Sequence, residues 1–277
     1  YMPKAIADLK DNAALKLSQA RLSCHSINCF GTARRLALIV NGLDEYQADA
    51  VIENRGPKKA AAFDAEGNPS KAGIGFARSQ GMEFTSLEIR EYAGTEYMYA
   101  VRKEKGAASV QVLPEVLKEI IQSLSFPKSM RWGYNQFRFA RPIRWLAAIY
   151  GNQLIDLKIE NIVSGMHTMG HRFLSDGMIE IKNVADYREK LQKHYVILNQ
   201  QERKAIISRQ IKAEAAAAGG EPMDNEELLD EITYLVEYPT AFYGSFDPSY
   251  LEVPSEVLTT SMIEHQRYFP VFDQAGK

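Results

Sequence analysis

The hydrophobic positions of this chain change period several times, and each change predicts an element. Ile6, Leu9, Ala13, Leu17 and Ala20 recur every three or four residues, so residues 3–22 read as a helix. CFGTARRLALIVNGL then reads as a strand, entered through Gly31-Thr32 and closed at Asn41-Gly42. AVIENRGP is a second extended piece, ending at Gly56-Pro57. After a turn at Gly67-Asn68-Pro69, Ser70 is placed to cap a short helix through Arg78, which Gly81 stops. EIREYAGTEYMYAVRKEKG predicts a hairpin about Ala93-Gly94, because Tyr97, Tyr99 and Val101 alternate with Met98, Ala100 and Arg102. Leu113, Val116, Leu117, Ile120 and Ile121 form one stripe and predict a helix over 110–124.

Further along, Phe137 and Phe139 alternate with Arg138, and IRWLAAIY-GN-QLIDLKI reads as a hairpin about Gly151-Asn152. A helix that starts at Pro142 and ends before Gly151 competes with it. IEIKNVADYREKLQKHYVIL predicts a strand, a helix from Val184 and another strand. A long helix carrying Arg203, Lys204, Arg209 and Lys212 runs to AEAAAAGG, and the acidic helix MDNEELLDEITYLV is suited to basic surface. EYPTAFYGSF is extended; VPSEVLTTSMIEHQRYFPVF predicts a helix capped by Ser255 and then a strand. The irregular alternation favours α+β, with mixed or antiparallel sheets and packed helices. At 277 residues, two units are expected, 1–160 and 161–277, unless the chain is one continuous unit. An opening without Met and a last strand running into a turn read as part of a longer polypeptide.

The formal charge of -2 provides no global pull toward polyanions, so any such site is a local patch. No run of about 18 apolar residues suggests a membrane span, and two cysteines suggest a reducing, cytoplasmic setting. Catalytic templates fail: there is no phosphate-binding GxxxxGK[ST] loop, no third glycine after Gly73-Ile74-Gly75 and no GxSxG elbow. Cys24-His25 with Cys29 lacks a clear fourth ligand, and His167 and His171 have zinc-helix spacing without the intervening Glu. No metal, cofactor or catalytic residue is therefore assigned.

The basic pieces remain. Lys128, Arg131, Arg138, Arg141 and Arg144 crowd together among Trp132, Tyr134, Phe137 and Phe139, and no acid occurs between Glu119 and Asp156. With Arg34, Arg35, His171, Arg172, His265 and Arg267 they are the candidate RNA-binding residues, since a guanidinium fork suits bidentate phosphate contact. The competing reading is structural: the arginines anchor loops through carboxylates such as Asp64, Glu237 and Glu264.

Several long motifs in one order carry a resemblance: RGPKKAAAFDAEGNPSKAGIGFAR at 55–78, then FPKSMRWG, FARPIRWL, GHRF and HQRYFPV. From Met2 to Lys277 the chain resembles the β subunit of bacterial glycyl-tRNA synthetases. The resemblance implies a subunit of an α2β2 class II ligase that joins glycine to tRNA(Gly) in the cytoplasm. ATP and Mg would then bind the α subunit, leaving no cofactor here, and the partners would be that subunit and tRNA(Gly), with no DNA and no membrane. It implies a tRNA-positioning and assembly role without the aminoacylation site. It also implies a fold similar to the editing module of the phenylalanyl-tRNA synthetase β subunit. A hydrolytic editing role is the alternative, although a glycine pocket that excludes larger side chains by size gains little from editing.

Overall fold

The computed structural model describes residues 1–276 and has the α+β architecture expected. It divides into two compact units: Tyr1–Gln19, Cys24–Leu43 and the chain from Val112 onward form one; Ala20–Ser23 and Asp44–Gln111 form the other. The division is not near residue 160, because strands on either side of that position pair with each other.

The chain opens with α1 (Met2–Gln19), the hairpin β1 (Ser26–Thr32) and β2 (Arg35–Asn41), and β3 (Ala50–Lys58). Then come α2 (Lys59–Ala62), α3 (Lys71–Ser79), β4 (Glu88–Tyr92), β5 (Thr95–Glu104) and α4 (Ser109–Gln122). Short strands follow: β6 (Leu146–Ala147), β7 (Ile149–Tyr150), β8 (Gln153–Leu154), β9 (Lys158–Ile159), β10 (Ile162–Gly165), β11 (His167–Met169) and β12 (Met178–Glu180). The last elements are α5 (Val184–Lys193), α6 (Gln200–Ala217), β13 (Glu221–Pro222), α7 (Glu226–Thr233), α8 (Ser255–Thr260) and β14 (Val271–Phe272). Leu146 and Ala147 of β6 lie beside Ser164 and Gly165 of β10, which also pairs with β9.

The smaller unit is a three-stranded antiparallel sheet ordered β3-β5-β4. Its expected hairpin turn is present, with Ala93 and Gly94 both at positive φ (51° and 75°), as the twist of a two-residue connection requires. Met98 and Ala100 on one face are buried where α2 and α3 pack. Ser70 caps α3 as expected, its Oγ accepting from the Gly73 amide at 3.2 Å. Gly73 is needed there, because a Cβ would sit 2.5 Å from the Phe84 ring and 2.6 Å from the Ala62 carbonyl oxygen.

In the larger unit α1 buries Met2, Ala5, Leu9, Ala13 and Leu17 along one face and packs on β1. Each buried leucine contributes about 1.5–3 kcal/mol. The expected single strand is instead a hairpin that turns at Ala33-Arg34. The amide of Arg34 donates to Thr32 Oγ1 at 3.2 Å, a local bond that closes the turn. Phe30, Ala37 and Ile39 of this hairpin form a core with Leu191, Val196 and Leu198. The expected strand at 196–198 is buried but joins no sheet; the Ile197 amide donates to the Glu237 carbonyl at 2.8 Å. Residues 123–145 are irregular, apart from a reciprocal bridge between Met130 and Phe139. The hairpin β7–β8 forms and the competing helix from Pro142 does not. Ser255 begins α8 rather than capping it, because Pro254 occupies the cap position.

Arg203, Arg35 and Glu237 are charged side chains inside this unit. Arg203, at 0% exposure, donates to the carbonyls of Thr233 (2.7 Å), Ile197 (2.6 Å) and Gly31 (2.8 Å). Burial pushes its guanidinium down to about 10. Arg35 donates from Nε to Glu237 Oε1 at 2.7 Å, from Nη2 to Oε2 at 3.2 Å and from Nη1 to the Met169 carbonyl at 2.8 Å. Thr32 Oγ1 donates to the same carboxylate at 2.7 Å. Both side chains of the pair are almost fully buried, so desolvation is repaid only while every bond is made.

Arg203→Lys replaces a planar fork by a point charge that cannot span three carbonyls, and should lower unfolding free energy by about 2–4 kcal/mol in urea titrations. Glu237→Gln leaves Arg35 buried without a counter-charge and should lose about 3–5 kcal/mol in the same measurement. Losses below about 1 kcal/mol would contradict these roles.

Candidate anion-binding surface

The Thr32–Arg35 turn sends two successive arginines different ways. Arg35, the first residue of β2, points inward and its guanidinium is used by the fold, so it leaves the set available to phosphate. Arg34 stays half-buried, with Nη1 3.4 Å from the Gly170 carbonyl and 3.8 Å from Glu237. Both guanidiniums lie over the Trp145 ring, at 5.9 and 5.7 Å from its centre. Burial holds Arg34 below its ordinary range against the pull of Glu237, and the charges of Arg35, Arg172 and Arg144 push it the same way. Arginines from three distant motifs (TARR, FARPIRWL and GHRF) thus act on one another here.

Arg172 belongs to the 170–177 loop between β11 and β12. Gly170 opens that loop, and a Cβ there would meet Ser175 Oγ at 2.4 Å. His171 Nδ1 accepts from the amides of Phe173 (3.3 Å) and Leu174 (3.2 Å), which leaves its ring proton on Nε2 as a donor. Arg172 is exposed and lies 5.4 Å from the centre of the Phe173 ring. Ser175 Oγ and His194 Nδ1 are 2.8 Å apart.

The other candidates divide. Lys128, Arg131, Arg141 and Arg144 are exposed in the irregular 123–145 segment. Arg138 is exposed too, but folds back on Ser129, donating to its Oγ at 3.1 Å and its carbonyl at 2.9 Å. His265 is exposed near the end of a π-turn over Ser261–Gln266, and Arg267 follows it in the left-handed region. Arg267 Nε donates to Glu231 Oε1 at 2.8 Å, so it tethers α7. Of the carboxylates expected to anchor arginines, only Glu237 is seen to do so through its side chain. Asp64 accepts from the amides of Glu66 and Asn68, and Glu264 meets Arg267 through its carbonyl. Sequence reading missed Arg203 as an interior group; its place on the Gln200–Arg203–Ile207 stripe of α6 was the available signal.

Comparison with known proteins covers the whole chain. The family model for the glycyl-tRNA synthetase β subunit matches residues 1–277. Similar relatives include proteins named glycine–tRNA ligase β subunit from Syntrophomonas wolfei (58% identical), Syntrophus aciditrophicus (46%) and Moorella thermoacetica (44%). Each match covers 100% of this chain and 40% of the relative, so the chain spans about two fifths of their length. With a family match from the first residue to the last, the chain belongs to the glycyl-tRNA synthetase β-subunit family.

Proposed function

We propose that this chain is a tRNA-binding and assembly part of the β subunit of an α2β2 glycine–tRNA ligase, with amino-acid activation on the α subunit. The observation that carries the reading is that Arg34, lying over Trp145, feels the like charges of Arg172 and Arg144, while Glu237 is engaged by Arg35. Mutually repelling guanidiniums are relieved by an anion, and a phosphate backbone supplies one at each nucleotide. His171 Nε2–H adds a neutral donor beside Arg172.

A hydrolytic reading would rest on the Ser175–His194 hydrogen bond, a nucleophile within reach of a base. Size exclusion by a glycine pocket leaves such a module little to clear. Alanyl-tRNA(Gly) deacylated faster by the wild type than by Ser175→Ala would favour hydrolysis over binding.

In the ligase assembled with variant β subunit, each of Arg34→Gln, Arg144→Gln and Arg172→Gln should reduce the slope of log K for tRNA(Gly) against log salt by about 0.7–0.9. The triple variant should lose about 2–3 units of slope, and an unchanged slope in folded protein would refute backbone contact at this surface.

A further inference from the structure

One face of the β3–β5–β4 sheet is covered by α2 and α3; the other is open and carries tyrosines. The register places Arg55 opposite Tyr99, Arg90 opposite Tyr97 and Tyr92 opposite Thr95, so these side chains share that face. The Arg55 guanidinium lies 4.4 Å from the centre of the Tyr92 ring and 5.0 Å from that of Tyr97, and the two rings meet edge to face at 6.5 Å. Tyr92 is 56% exposed.

The charges on this face sort themselves. Arg90 reaches over Tyr99 and engages both Glu53 and Glu88, each at 2.7 Å. Its single charge balances one of those two carboxylates, and Arg55 with Lys103 more than offsets the other. Arg55 has no carboxylate partner among the described residues, and Lys103 stands on the same face. The residual charge is positive although the chain as a whole is at -2. A guanidinium lying against aromatic rings and without a carboxylate partner can donate bidentately to a phosphate while an exposed ring beside it stacks on a base.

We propose that this open sheet face binds unpaired RNA nucleotides, Arg55 taking a phosphate and Tyr92 with Tyr97 stacking on a base. A duplex cannot use such a platform, because its base faces are already stacked. This surface shares no residue with Arg34, Arg144 and Arg172, so either can fail without the other.

The test is fluorescence anisotropy of the 277-residue chain with a labelled single-stranded RNA dodecamer, and with the same strand annealed to its complement. Tyr92→Ala and Arg55→Gln should each weaken single-strand binding about 5- to 100-fold and change duplex binding less than about 2-fold. Tyr92→Phe should retain wild-type affinity, since the ring rather than the hydroxyl stacks. Both altered groups are exposed, and a thermal melt matching wild type establishes that each variant is folded. Three results would overturn the proposal: no single-strand binding by wild type, unchanged affinity in both variants, or equal weakening on strand and duplex.

Discussion

The larger unit depends on one buried carboxylate. Glu237 accepts from Arg35 and Thr32, both about two hundred residues earlier in the chain, and with them it fixes the tip of the first hairpin. Arg203 ties the same hairpin from the other side, through the Gly31 carbonyl, to the segments at Ile197 and Thr233. Neither group is a strong source of net stability, since desolvating charges offsets most of what their bonds return. What they supply is uniqueness, because a shifted hairpin would leave several buried polar atoms unpaired. By fixing Arg35 inside, the same bonds fix where Arg34 emerges and hence where the surface cluster forms.

Both units use arginine in several ways. In the larger one, Arg203 and Arg35 disappear into bonds with carbonyls and a carboxylate, Arg267 pairs with a surface glutamate, and Arg34 feels like charges. In the smaller one, Arg90 is held by two acids while Arg55 rests on aromatic rings. The same side chain acts as strut, stacked plane or unpaired cation according to what the fold places within about 4 Å of it.

Most helices and the tyrosine hairpin were legible in the sequence, because period and capping chemistry are local. Ser70 and Ala93-Gly94 are clear cases: three or four residues contain the whole instruction. The hairpin at Ala33-Arg34 was not legible, since Ala-Arg is no turn signal, and the turn is held by Thr32 and by a distant glutamate. The basic 128–144 segment was legible as a cluster but not as geometry. From it, the charge of Arg144 acts on Arg34, while Arg138 is spent on its own loop. A family resemblance identified the subunit, but it could not tell an arginine that braces the fold from one that faces solvent. That distinction lies in burial and partners, which motif spacing does not encode.

The smaller unit is an excursion, complete at Gln111, whereas the larger one starts before it and resumes at Val112. On the ribosome the tyrosine sheet can therefore finish while the first hairpin still waits for Glu237, which is translated about 130 residues later. At about 5–20 residues per second, that interval lasts about 6–26 s. For its first part, until residues 191–198 are made, the Phe30–Ile39 face lacks Leu191, Val196 and Leu198. Nascent-chain association of this subunit is thus most exposed to chaperones and to premature pairing in that window, and its order of assembly is written into its topology.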